Sequence, residues 1–183
     1  MTQITASLVK ELRERTGLGM MECKKALSET DGDLVKAEDL MRIKSGSKAS
    51  KVSGRVAAEG AIAVAISDDM RQGAIVEVNC ETDFVGKDES FLKFANDIAD
   101  IVNKTGESDI AVISEQKLPQ GESVEEVRQA LIMKLGENIS VRRAKKFNAK
   151  GALSSYLHGG RIGVMVDLVN GSSELGKDMA MHI

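Results

Sequence analysis

The sequence is poor in the residue types that most often carry chemistry. It has no Trp, one Tyr, four Phe, one Pro, two Cys and two His among 183 residues. Cys23 and Cys80 sit in otherwise apolar patterns without a paired spacing, which excludes a disulfide framework and reads as reduced core thiols of a cytosolic protein. His158 and His182 belong to no Cys/His/Asp cluster at metal-ligand spacing. No apolar run approaches the roughly 20 residues of a membrane span. Acids at Glu11 and Glu14 interrupt the amphipathic N-terminus, which has no signal-peptide core. A net charge of −3 argues against nucleic acid as the main partner.

The motif inventory is equally bare. There is no G-x-x-x-x-G-K-[ST] loop, no G-x-G-x-x-G after a strand and no G-x-S-x-G elbow. Asp83 is followed by Phe84, Val85, Gly86 and Lys87, without the alternating oxygen ligands of a calcium loop. These absences leave no catalytic set. The expectation is a protein that is not an enzyme, needs no cofactor and acts by binding.

What is present falls into three stretches. Residues 1–54 read as a three-helix module ending in a basic linker. Ile4, Leu8 and Leu12 recur at helical spacing, Thr5 can cap, Ile4 can staple onto Val9, and Gly17 permits a left-handed stop. Met20, Cys23, Ala26 and Leu27 form the stripe of a second helix. Asp33 caps a third, with Leu34, Ala37, Leu40 and Met41 on its apolar face. Residues 42–55 carry Arg42, Lys44, Lys48, Lys51 and Arg55 and no acid, among Ser and Gly. They read as a solvated linker or as an RNA-contact patch, the latter without aromatics to stack on bases.

Residues 55–149 form a second stretch. Alternation over 61–66 and 73–80 predicts an antiparallel hairpin. A helix follows from about Asp88, with Phe91, Ala95, Ile98 and Val102 on one face. A further helix runs from the capping box Ser123/Glu126 to Gly136, and a strand covers about 138–147. Residues 150–183 form the third: a hairpin turning at Gly159-Gly160, then the start of a helix. "EGAI" at 59–62 resembles "KGAL" at 150–153, "GAIVEV" at 73–78 resembles "GVMVDL" at 163–168, and "NDIA" at 96–99 matches "KDMA" at 177–180. The chain thus reads as two copies of one hairpin-plus-helix unit, an α+β core whose second copy is incomplete. The chain's end inside an amphipathic helix is expected to reflect truncation of something longer.

The register of the repeat isolates one loop. Gly73 aligns with Gly163, an offset of 90, whereas Asp97 aligns with Asp178, an offset of 81. Copy one therefore carries nine additional residues, and they fall in the Thr82–Ser90 region. One of four Phe residues, Phe84, stands in this addition. Either Phe84 plugs its own hairpin or it is held outward for a partner. His158, on the second turn, reads as a solvated residue or a partner contact, and Met20 and Met21 as core or as contact surface.

"ITASLVKELRERTGLGMMECKKAL", "VNCETDFVGKDESF", "GENISVRR" and "HGGRIGVMV" closely resemble the elongation factor Ts family, collinearly from Met1 to Ile183. The resemblance implies a cytoplasmic guanine-nucleotide exchange factor for elongation factor Tu, with GDP and magnesium carried by the partner. It implies that the N-terminal module is ubiquitin-associated-like and docks through Lys10, Arg13, Met20 and Met21. It further implies that Thr82, Asp83, Phe84 and Val85 meet the partner's G domain beside its magnesium site, and that His158 joins the contact surface. Rival readings from the residues alone are an RNA-binding module using 42–55 and "VRRAKK", and a structural adaptor without effect on nucleotides.

Overall fold

A computed structural model describes residues 4–183; residues 1–3 of the expected first module lie outside the described residues. The elements run α1 (Ala6–Thr16), α2 (Met20–Glu29), α3 (Leu34–Val52), β1 (Glu59–Ile66), β2 (Gln72–Cys80), α4 (Asp83–Gly86), α5 (Glu89–Thr105), α6 (Ile110–Glu115), α7 (Val124–Leu135), β3 (Ser140–Asn148), β4 (Ala152–His158), β5 (Ile162–Leu168) and α8 (Ser173–His182). The fold is α+β. The chain divides into two compact units, one of residues 1–55 with 126–138, the other of residues 56–125 with 139–183.

The first unit begins as its sequence suggests. Thr5 Oγ1 accepts from Leu8 N–H at 3.3 Å, and Gly17 closes α1 in the left-handed region at φ 66°. Asp33 caps α3 by accepting from Lys36 N–H at 3.1 Å. Val9, Leu12, Leu18, Cys23, Ala26, Leu27, Ala37 and Met41 form the core, and Ile4 packs against it. Two features differ from expectation. The basic stretch is not a linker, because α3 continues to Val52 with Ser45, Ala49 and Val52 buried. Residues 126–138, expected in the first core subdomain, belong to the helical unit. The two differences have one cause. Gly46 leaves room for α7 beside α3: a Cβ there would stand 3.1 Å from Gln129 Oε1. Lys48 Nζ donates to Met133 O at 3.0 Å, and Asn138 Nδ2 donates to Arg55 O at 2.8 Å.

In the second unit, β1, β2 and β3 form an antiparallel sheet in that order. Alternation sends Ala61, Ala63 and Ala65 to one face with Val76, Val78 and Cys80, all buried. Phe91, Phe94, Ala95, Ile98 and Val102 of α5 are buried as well, as the apolar stripe of that helix requires. The larger Ile62, Val64 and Ile66 point the other way and are only half-buried. The β4–β5 hairpin covers that face: a Cβ on Gly163 would meet Ile62 Cγ2 at 2.4 Å, and one on Gly73 would meet Leu153 Cδ1 at 2.8 Å. Ser154, the next residue on β4, faces Gly176 of α8 instead. The layers are therefore α5, the three-stranded sheet, the hairpin and α8.

The repeat is visible as two hairpins, each followed by a helix packed on it. The second copy, expected as its own subdomain, lies inside the same compact unit as the first. The additional residues of copy one form α4. A bulge between Glu77 and Val78 leaves Arg142 as the extra residue of β3, so Arg142 and Arg143 both reach Glu77, at 3.0 and 2.6 Å. Among the described residues no helix is long and apolar enough to cross a membrane.

Candidate functional site

The chain's one ring in a loop is held by its neighbours, not by its own packing. Cys80 ends β2, and its Sγ donates to Thr82 O at 3.1 Å. Thr82 Oγ1 accepts from Val85 N–H at 3.4 Å and opens the single turn of α4. Lys87 N–H then donates to Phe84 O and Asp88 N–H to Val85 O, at 3.2 and 3.0 Å. Asp88 caps α5, accepting from Ser90 and Phe91 N–H at 2.9 and 3.2 Å. Residues 82–88 thus form a closed hydrogen-bonded turn between β2 and α5.

Successive residues on a helical turn point about 100° apart. That rotation separates Phe84, which is 82% exposed, from Val85, which is 8% exposed. The two readings of Phe84 are resolved by dividing them between neighbours: Val85 plugs the hairpin and Phe84 stands outward. Val85, expected among the partner contacts, is buried beneath the turn. The floor beneath Gly86 of α4 is the Gly60 backbone and the Cys80 thiol. A Cβ on Gly86 would lie 3.3 Å from Gly60 O, and Gly60 itself sits at φ 149° with its would-be Cβ 2.1 Å from Val78 O. Only glycine fits at position 60. Asp83 pairs with Lys87 at 2.8 Å. That hydrogen bond, helped by the lysine's charge, holds the Asp83 carboxyl below its usual range, so it is ionised at neutral pH.

In the helical unit, Lys10, Arg13, Met20 and Met21 line one open groove of about 460 Å³ with Ile4, Val9 and Lys24. Met20 and Met21 are 59% and 74% exposed. Met20 does not continue the buried stripe of α2, because Leu18 fills that end of the core. The groove combines flexible thioethers with a rim of three cations, a surface suited to an acidic, apolar protein segment. Lys24 was not singled out from sequence, although it lies four residues after Met20 on the same face.

His158 closes β4 opposite Ile162, exposed, with its Nδ1 3.1 Å from Tyr156 Oη. Leu157 and Ile162 are exposed beside it, an apolar margin that alternation alone did not flag. The expected residues therefore gather as Thr82, Asp83 and Phe84 on one turn, Lys10, Arg13, Met20 and Met21 in one groove, and His158 on the second hairpin. Part of the basic stretch on α3 is engaged internally: Lys44 pairs with Glu29 at 2.7 Å, Arg42 with Asp39 at 3.2 Å and with Glu126 at 3.6 Å. Among the described residues no group of three or more His, Cys, Asp or Glu is placed to hold a metal ion.

Residues 81–183, beginning one residue before the Thr82 turn, match the family model described as elongation factor Ts. The chain belongs to the elongation factor Ts family. Over all 183 residues it is 62% identical to elongation factor Ts of Nitrosomonas eutropha. It is 58% identical to that of Nitrosospira multiformis and 55% to that of Methylobacillus flagellatus, again over the whole chain. The chain spans 62% of the length of each of these relatives. As an elongation factor Ts family member it presents its exposed aromatic on the turn at the very start of the matched segment.

Proposed function

We propose that this chain binds elongation factor Tu in the cytoplasm and promotes release of its GDP without making or breaking a covalent bond. The family supports the partner, and the outward ring of Phe84 on a braced turn carries the reading. Exchange requires that factor and nucleotide each weaken the other's binding by the same ratio. Phe84 wedges into the partner's G domain near its magnesium-coordinating region. Burying a Phe ring contributes roughly 1.5–3 kcal/mol, which offsets displacement of the segments that hold phosphate and magnesium. Ionised Asp83 diverts polar partners of the ion and repels phosphate charge. The groove of Lys10, Arg13, Met20 and Met21 supplies a second contact that raises the local concentration of the wedge. His158 adds a third. Arg42, Lys44 and Lys48 of α3 are engaged within the protein, which favours this reading over an RNA-binding one.

Stopped-flow release of labelled GDP from elongation factor Tu tests the reading. The wild-type chain should accelerate release, and Phe84→Ala should lower that acceleration at least tenfold with an unchanged circular dichroism spectrum. Wild-type rates from Phe84→Ala would remove the wedge. No acceleration by any form of the chain would remove the exchange function itself.

A further inference from the structure

The second hairpin is fastened to the first at both of its ends. At its base, Leu153 N–H donates to Met70 O and Ala149 N–H to Arg71 O, each at 2.8 Å. Arg71 Nη1 returns a bond to Lys150 O at 2.8 Å. At its tip, Gly160 O accepts from Ile62 N–H at 2.7 Å, and Arg161 pairs with Glu59. Strand β1 is the edge of its sheet, so the Ile62 donor would otherwise face solvent. The tip caps that donor and adds an ion pair three residues away on the same strand.

Strand β1 carries the Phe84 turn on the same few residues. Glu59 is the partner of Cys80 across the β1–β2 ladder, two positions before Thr82. Gly60, the next residue, lies directly against Gly86 of α4. Residues 59–62 therefore support the Phe84 turn and hold the hairpin tip that begins one residue after His158. The tip itself is a tight two-residue turn: Gly159 and Gly160 adopt φ of 57° and 72°, and Arg161 N–H donates to His158 O at 3.1 Å, so what remains to be fixed is where this turn sits on β1.

We propose that Arg161 is a positioning residue for nucleotide exchange: its ion pair with Glu59 locks the His158 end of the second hairpin in register with the Phe84 turn, so that both engage one partner surface in a single docking event. The assignment rests on the exchange reading above. Its physical content is preorganisation. A turn already docked on β1 before encounter spares the cost of ordering the hairpin end against β1 on binding. Losing the clip should weaken docking and leave the wedge's maximal effect intact. A half-exposed pair of this kind contributes little to global stability, so its role is separable from folding.

The experiment uses the 183-residue chain with Arg161→Glu, Glu59→Arg and the double exchange of charges. Each single reversal should raise the factor concentration giving half-maximal GDP release about tenfold, with the maximal rate within twofold of wild type. The double variant should return to within about threefold of wild type. In a His158→Ala background, Arg161→Glu should add less than twofold, because Arg161 acts through the tip that bears His158. A reversal that leaves the half-maximal concentration unchanged, a double variant that is not rescued, or full additivity with His158→Ala would each overturn the assignment. Amide hydrogen exchange at Ile62, measured without any partner, should accelerate at least fivefold in Arg161→Glu. An unchanged Ile62 rate overturns the clip whatever the nucleotide assay gives. Accelerated Ile62 exchange in a chain whose wild type fails to release GDP supports the clip and overturns the exchange reading alone.

Discussion

Phe84 and Val85 differ in what surrounds them far more than in what they are. Both are apolar, adjacent and on one short turn, yet one is buried and the other stands in solvent. Phe84→Ala should leave the urea midpoint unchanged, since exposed positions away from special features move stability by about ±0.5 kcal/mol at most. Val85→Ala removes two buried methyl groups and should cost about 1–2 kcal/mol at roughly 0.8 kcal/mol per methylene-sized group. Urea denaturation of the two variants side by side checks this. Equal midpoints would mean that Val85 is not the plug. Gly60→Ala should be worse than either, because it meets both a positive φ and the carbonyl of Val78. A loss of about 2–3 kcal/mol is expected, read in the same denaturation series.

Among the elements, α3 departs most from its sequence. Arg42 to Arg55 has the Ser, Gly and Lys content of a linker, and local propensity alone would end the helix near Ile43. Packing decides otherwise, because the residues that weaken the helix are small enough to admit α7. Ala49→Gly provides the discriminating measurement. In a solvated linker the change would be silent, whereas in a buried helix it should cost about 1 kcal/mol and lower the thermal midpoint. The two strands of the first hairpin teach the complementary lesson. Alternation correctly located β1, but could not say that its alanines face α5 and its isoleucines the second hairpin. Both faces are apolar, so period alone does not choose between them.

For the whole molecule, charge sets the pH response. The hydrogen bond from Lys44 holds Glu29 low, those from Lys36 hold Asp33, that from Ser67 holds Asp69, and those from the Lys150 and Gly151 amides hold Asp167. At Glu77 burial opposes, but hydrogen bonds from Arg143, Asn79 and Arg142 outweigh it. Lys87 holds Asp83 low. Each of these carboxyls releases its proton more readily when folded. Below the ordinary values of 4.5 for Glu and 3.8 for Asp, the unfolded chain binds more protons than the native one. Their stabilisation is therefore complete above about pH 5 and is lost as pH falls through the depressed native values. Urea midpoints at pH 6 and pH 3 should show a clear drop at pH 3. A midpoint constant down to pH 3 would contradict these assignments.

The sequence by itself determined the α+β class, the helix caps at Thr5 and Asp33, the two hairpins and the additional loop that holds Phe84. These follow from local rules: period, capping chemistry and the offset between repeats act over a few residues and leave their mark in order. Through resemblance it also named the residues expected at each proposed contact surface. Only the tertiary structure decided that Val85 turns inward while Phe84 turns out, that residues 126–138 join the first helices, and that Glu59 receives Arg161. Each depends on which distant segment arrives at a given face, and that is settled by shape and burial between residues far apart along the chain.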